Sequence, residues 1–148
     1  MKSPSPFRSR ILQRSLNSAE TGDPPTQSST ESKFLEAVRK LRRVVSNVQA
    51  VILAGPQGIV HHAVNDPAMD TEVIGHEFAT LLRIAQSASE DSGAGNVIEN
   101  ILVSEKSIMI ARLAFAQHYL ILWFRSQDQI GRARYELKQA CRVFTGRI

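Results

Sequence analysis

The sequence predicts an α/β (α+β) sandwich in the order helix-β-β-helix-β-β-β-helix. Its sheet is five-stranded and antiparallel, with two helices on one face and one on the other. Three observations carry this. Residues 48–64 are two apolar, β-branched runs around Gly55-Pro56-Gln57-Gly58, a hairpin in which Pro56 presets the turn and Gly55 and Gly58 allow torsions that other residues resist. Residues 96–103, 107–114 and 118–124 are three strand-like runs whose connections are too short for anything but an antiparallel meander. Three further segments carry apolar residues at helical spacing.

Residues 1–30 stand apart. They are rich in Ser, Pro, Thr and Gln, with Pro4, Pro6, Pro24 and Pro25 spread among them, and such a composition buries too little apolar surface to offset its ordering entropy. A disordered leader is the favoured reading. The alternative is a short basic amphipathic helix, with Phe7, Ile11, Leu12 and Leu16 among Arg8, Arg10 and Arg14, suited to peripheral membrane contact or a partner groove. The folded domain then spans residues 31–148.

Its first helix is expected near Glu31, with Thr30 as N-cap. Phe34, Val38, Leu41, Val45 and Val48 form one stripe, with Arg39, Lys40, Arg42 and Arg43 mostly off it. The first strand, Val51-Ile52-Leu53-Ala54, lacks polar alternation, so both faces of its sheet should be covered. Asn65-Asp66-Pro67 is a turn, and Asp70 or Thr71 caps a second helix running to about Ser89.

That second helix is too apolar for one surface. Ile74, Phe78, Leu81 and Ala85 centre its face; Val73, Ile84 and Ala88 widen it one way, and Gly75, Ala79 and Leu82 the other. The surplus is most simply a twofold dimer contact, with the Gly75/Ala79 wing allowing close helix approach, although a neighbouring loop would also cover it. Glu99 and Asn100 interrupt residues 96–103, which suits an edge strand. The run 118–124, apolar on both faces, belongs at the sheet's centre. A last helix carries Ile130, Ala133, Leu137, Cys141 and Phe144 as its stripe.

Composition bounds the function. The 148 residues, 43% hydrophobic, suffice for one core without disulfides or a structural metal. Cys141 is the only cysteine and sits on an apolar stripe, so it reads as a small buried hydrophobe in a reducing, cytoplasmic setting. No apolar run is long enough for a membrane span or a signal peptide.

Charge is distributed unevenly. Residues 31–47 carry five basic and two acidic side chains, residues 129–148 five and one, and residues 48–128 four and nine. The first and last helices therefore make a basic face and the second helix an acidic one. The basic face would suit acidic protein, anionic lipid or nucleic acid, but aromatics are not interleaved with its charges, which favours a solvated surface and disfavours nucleic acid.

No catalytic or metal constellation emerges, and no cofactor is called for. Gly55-Pro56-Gln57-Gly58 and Gly93-Ala94-Gly95 lack the Lys-Ser/Thr and the strand-to-helix context of a phosphate-binding loop. His61 and His62 are adjacent on a strand and point to opposite faces; His76 and His118 have no ligand partners at suitable spacing.

The succession resembles the roadblock family, named for a dynein light chain and abundant in bacteria, whose fold is profilin-like. The residues that carry the resemblance are Ala50-Val51-Ile52-Leu53 leading into Gly58-Ile59-Val60, Asp70-Thr71-Glu72 opening the second helix, and Gln129-Ile130-Gly131-Arg132-Ala133-Arg134, similar to the family's Asn-x-Gly-x-x-Arg stretch. The resemblance covers residues 32–144. It departs from the pattern at Gly55 or Pro56, where an acidic residue is usual, at His61 and His62, where small or aliphatic residues are, and at Gln129, where Asn is common.

The resemblance implies a homodimer, or a dimer with a paralogue, in which second helices pack together and third strands pair edge to edge. Gly75, Ala79, Leu82, Val97, Glu99 and Ile101 are then the interface candidates. It further implies a noncatalytic regulator of a small Ras-like GTPase, binding no nucleotide itself, with Glu72, His76, Glu77, Arg83 and Glu90 as partner-binding candidates. The alternative is a structural adaptor or scaffold of a motility or signalling complex.

Overall fold

The structure, a computed structural model, describes residues 27–145. The leader read from the sequence falls outside them as far as Thr26, and with it the Phe7, Ile11, Leu12 and Leu16 spacing. Helix α1 (Gln27–Val44) precedes strands β1 (Val48–Gly55) and β2 (Gly58–Val64) and helix α2 (Thr71–Asp91). Strands β3 (Glu99–Val103), β4 (Ile108–Phe115) and β5 (His118–Phe124), a 3-10 turn (Gln127–Gln129) and helix α3 (Ile130–Thr145) complete the order.

The strands form one antiparallel sheet in the order β2-β1-β5-β4-β3. The apolar run of β5 takes the centre and β3 an edge, as expected. Helix α1 starts four residues ahead of the expected Glu31, so Thr30 lies inside it rather than at its N-cap. A first helical turn tolerates Ser and Thr, whose hydroxyls satisfy its free N–H groups, so residue preference alone does not mark that boundary.

Each face of the sheet has its own core. On one, Phe34, Val38, Leu41 and Val45 from the α1 stripe and Ala133, Leu137, Cys141 and Phe144 from α3 pack on Val51, Leu53, Ile110, Leu120 and Leu122. On the other, Ile74 and Phe78 of α2 pack on Ala50, Ile52, Met109, Ala111 and Ile121. Phe78 meets Trp123 edge to face, with centroids 4.8 Å apart. Strand β1 sends successive side chains into the two cores in turn, which is why its sequence shows no polar alternation.

A polar cluster closes the end of the sheet away from the β1–β2 hairpin turn. Buried Gln49 donates from Nε2 to Asp66 Oδ2 at 3.1 Å and accepts from Ser107 Oγ at 2.8 Å, while Arg125 pairs with Asp66 at 2.8 Å. The Ala68 N–H, then Gln49, then the Arg125 charge favour the carboxylate and hold Asp66 below its usual pKa.

At the hairpin end the two glycines have different jobs. Gly58 has φ +120°, a torsion open mainly to glycine. Gly55 supplies space instead: a Cβ there would lie 2.6 Å from His118 Nε2. The His118 ring cannot easily yield, since it stacks on Phe115 at 4.4 Å and its Nδ1 sits 2.6 Å from the Ala116 carbonyl oxygen. Gly55→Ala is expected to destabilise the fold by about 1–3 kcal/mol through overpacking, read from the midpoint of urea unfolding.

Candidate functional site

Helix α2 is the element that presents residues to solvent on the less covered face. Asp70 caps it, its Oδ1 accepting from the N–H groups of Glu72 at 3.0 Å and Val73 at 3.3 Å, and it runs to Asp91, with Ser92 as C-cap and Gly93 and Gly95 at positive φ behind it. Ile74 and Phe78 point into the core. Glu72, His76, Arg83 and Glu90 lie on the outward side, all exposed. Glu77 is exposed too but falls on the flank with Val73 and Ile84. Of these partner-binding candidates, Glu90 accepts from Gln86 Nε2 at 2.8 Å, and Arg83 reaches only the Thr80 hydroxyl, at 3.5 Å.

The two flanks of α2 differ, and the structure corrects which of them is free. Gly75 faces Ile59 of β2, and a Cβ on it would meet Ile59 Cδ1 at 2.7 Å. The glycine thus lets the helix approach its own sheet, not a second helix. Ala79 and Leu82, on the same flank, are half-buried and line a cavity of about 570 Å³ with Ala54, Pro56, Leu113 and Tyr119. The opposite flank carries Val73, 55% exposed, and Ile84, 61% exposed.

The third strand is an open edge. It pairs with β4 alone, and Ile98, Ile101, Leu102 and Val103 are all exposed. Ile101, one of the interface candidates, is exposed on this edge. Val97 and Glu99 are engaged within the chain. The Val97 N–H donates to Gln86 Oε1 at 3.0 Å and its carbonyl accepts from Tyr119 Oη at 2.7 Å. Glu99 lies between two arginines, Arg134 of α3 at 2.7 Å and Arg112 of β4 at 3.3 Å. Sequence reasoning counted Val73 and Ile84 in the apolar face but assigned close helix approach to the Gly75/Ala79 flank, and it did not single out Ile98, Leu102 or Val103, although Ile101-Leu102-Val103 is an apolar run.

Comparison with solved structures gives close agreement in backbone. Myxococcus xanthus MglB superposes with TM-score 0.70 at 16% identity, covering 78% of this chain and 86% of that one. The gliding protein MglB of Thermus thermophilus gives 0.68 at 16% identity, covering 84% and 90%. The Roadblock/LC7 domain from Streptomyces avermitilis gives 0.61 at 15% identity, covering 73% and 91%. The chain has the roadblock fold. No protein-family model matches the sequence, and no curated protein matches it.

Within this roadblock fold, no group of three His, Cys, Asp or Glu residues suited to a metal occurs among the described residues. His61 stacks on Phe34 at 5.5 Å, under α1, whereas His62 faces solvent from the other side of β2. Cys141 is buried, its thiol pushed up to about 12 mainly by desolvation, so it stays protonated and unreactive at neutral pH. No described helix is long and apolar enough to cross a membrane.

The Glu99 contacts tie the roadblock edge strand to α3. Glu99→Ala leaves Arg112, largely shielded from water, without its carboxylate partner, and is expected to cost about 1–2 kcal/mol. Faster hydrogen exchange confined to β3 and its β4 partner residues would locate the effect.

Proposed function

We propose that this protein is a noncatalytic dimeric regulator of a small Ras-like GTPase. The observation that carries the reading is the pairing of an exposed apolar flank of α2, Val73 and Ile84, with an open, apolar edge at β3. Those two features together suit a second roadblock domain: β3 edges pair through their free N–H and C=O groups, and α2 flanks close over the seam. Support for a GTPase as partner comes from the fold shared with MglB and from the acidic exposed residues of α2, Glu72, Glu77, Glu90 and Asp91, which suit a basic patch on a partner protein.

Such a regulator works by differential affinity. Binding the GDP and GTP states equally would shift nothing, however tight the complex. The protein supplies shape and charge at the partner's switch segments, and its own side chains need no reactivity.

Ile84→Glu places a charge in the proposed α2 seam and is expected to weaken self-association at least about 30-fold, about 2 kcal/mol, giving a monomer mass by light scattering. An unchanged dimer would overturn that interface. For the partner, the Ras-like GTPase encoded nearest this protein in its genome is loaded in parallel with GDP and with a nonhydrolysable GTP analogue. A preference of about tenfold or more for one state is expected, and Glu72→Lys with Glu90→Lys, both on the outward side of α2 and off the proposed seam, should weaken that binding about 5- to 30-fold. Equal affinity for both states would identify a scaffold instead, and no binding to either would remove the GTPase.

A further inference from the structure

The α2 surface and the β3 edge leave the opposite face of the sheet without a role. Its two helices carry an unbalanced charge. On α1, Arg39, Lys40 and Arg43 project outward from the buried Phe34–Val38–Leu41 stripe, and on α3, Lys138 and Arg142 do the same, all of them exposed. Among the described residues none of these five has an acidic partner. Glu136, the acidic residue of α3, is already engaged by Arg132 at 3.8 Å, and Glu36 is the one exposed carboxylate on α1 between Lys33 and Val44.

One aromatic residue stands among these cations. Tyr135 is 61% exposed, at i, i+3 and i+7 spacing with Lys138 and Arg142, so the three share one outward row of α3. A charge count along the sequence does not show this, because the residues are separated by buried ones. Leu35 adds exposed apolar surface on α1.

We infer that the α1/α3 face docks on an anionic lipid bilayer. Both helices lie against the same sheet face, so their cations present one broad surface rather than a groove. A tyrosine ring among cations matches the headgroup level of a bilayer, where its apolar body and polar tip are both satisfied. A nucleic acid is the less suited occupant. Single strands need several aromatic platforms and duplexes an element that enters a groove, and this face has one tyrosine and two helices laid flat. The docking does not depend on the GTPase reading, although an edge-to-edge dimer would put two such faces on one side and strengthen attachment.

The test uses the full chain and co-sedimentation with vesicles of pure phosphatidylcholine and vesicles rich in phosphatidylglycerol, at low and high salt. Binding to the anionic vesicles alone, and its loss at high salt, is expected. The R39Q/R43Q/K138Q/R142Q variant should bind at least about 100-fold more weakly, at about fivefold per charge. The charge-preserving R39K/R43K/R142K variant should bind within about threefold of the parent, which separates lost charge from lost folding. Equal binding to neutral vesicles would overturn the inference. So would full binding by the glutamine variant, loss of binding on R8Q/R10Q/R14Q substitution in the leader alone, or tighter binding to duplex DNA than to anionic vesicles.

Discussion

One helix, about 10 Å across, cannot cover a face of five strands spaced about 4.8 Å apart, which is about 24 Å wide. The rest of the structure follows from that mismatch. Two helices side by side nearly close the first face, and its core is continuous from Phe34 to Phe144. The second face has α2 alone. Held close to β2 by the Gly75–Ile59 contact, α2 leaves the β3 side open. Across a single strand spacing, exposure rises from 1% at Met109 to 44% at its partner Leu102. The apolar flank of α2 and the bare edge strand are two views of one shortfall in cover.

Most of the architecture was legible because its signals are local. The hairpin glycines, the Asp70 cap, the four-and-three spacing of the α1 stripe and the doubly apolar β5 each specify an element from a few neighbouring residues. Which flank of α2 would be left free was not legible. A small-residue flank means close approach, but the sequence does not say to what, and here Gly75 approaches Ile59 of the same chain. Glu99 marked the edge strand, but its partners were not legible. A charge on an edge strand suggests exposure, yet Arg112 and Arg134, far away in sequence, converge on it from β4 and α3. Gly55 likewise reads as a torsional requirement until His118 is seen to fill the space beside it.

The sidedness of charge has the same origin as the sidedness of cover. The paired helices bury most of their apolar stripes and turn basic residues outward, whereas α2 buries Ile74 and Phe78 and turns out a largely acidic row. An antiparallel sheet with both faces covered can carry two unrelated surface chemistries, because the sheet's own side chains isolate one layer from the other. Here the two surfaces lie back to back, so occupation of one leaves the other accessible.

The pair of arginines around Glu99 also fixes how β3 is numbered against β4. A strand that slides by one residue turns every side chain to the other face. Such a slip would carry Glu99 away from both arginines and exchange Ile101 and Val103 with Leu102. An exposed, apolar, five-residue edge would otherwise be among the least well-specified strands in the sheet. With its first residue clasped, the strand offers any pairing partner a single alignment.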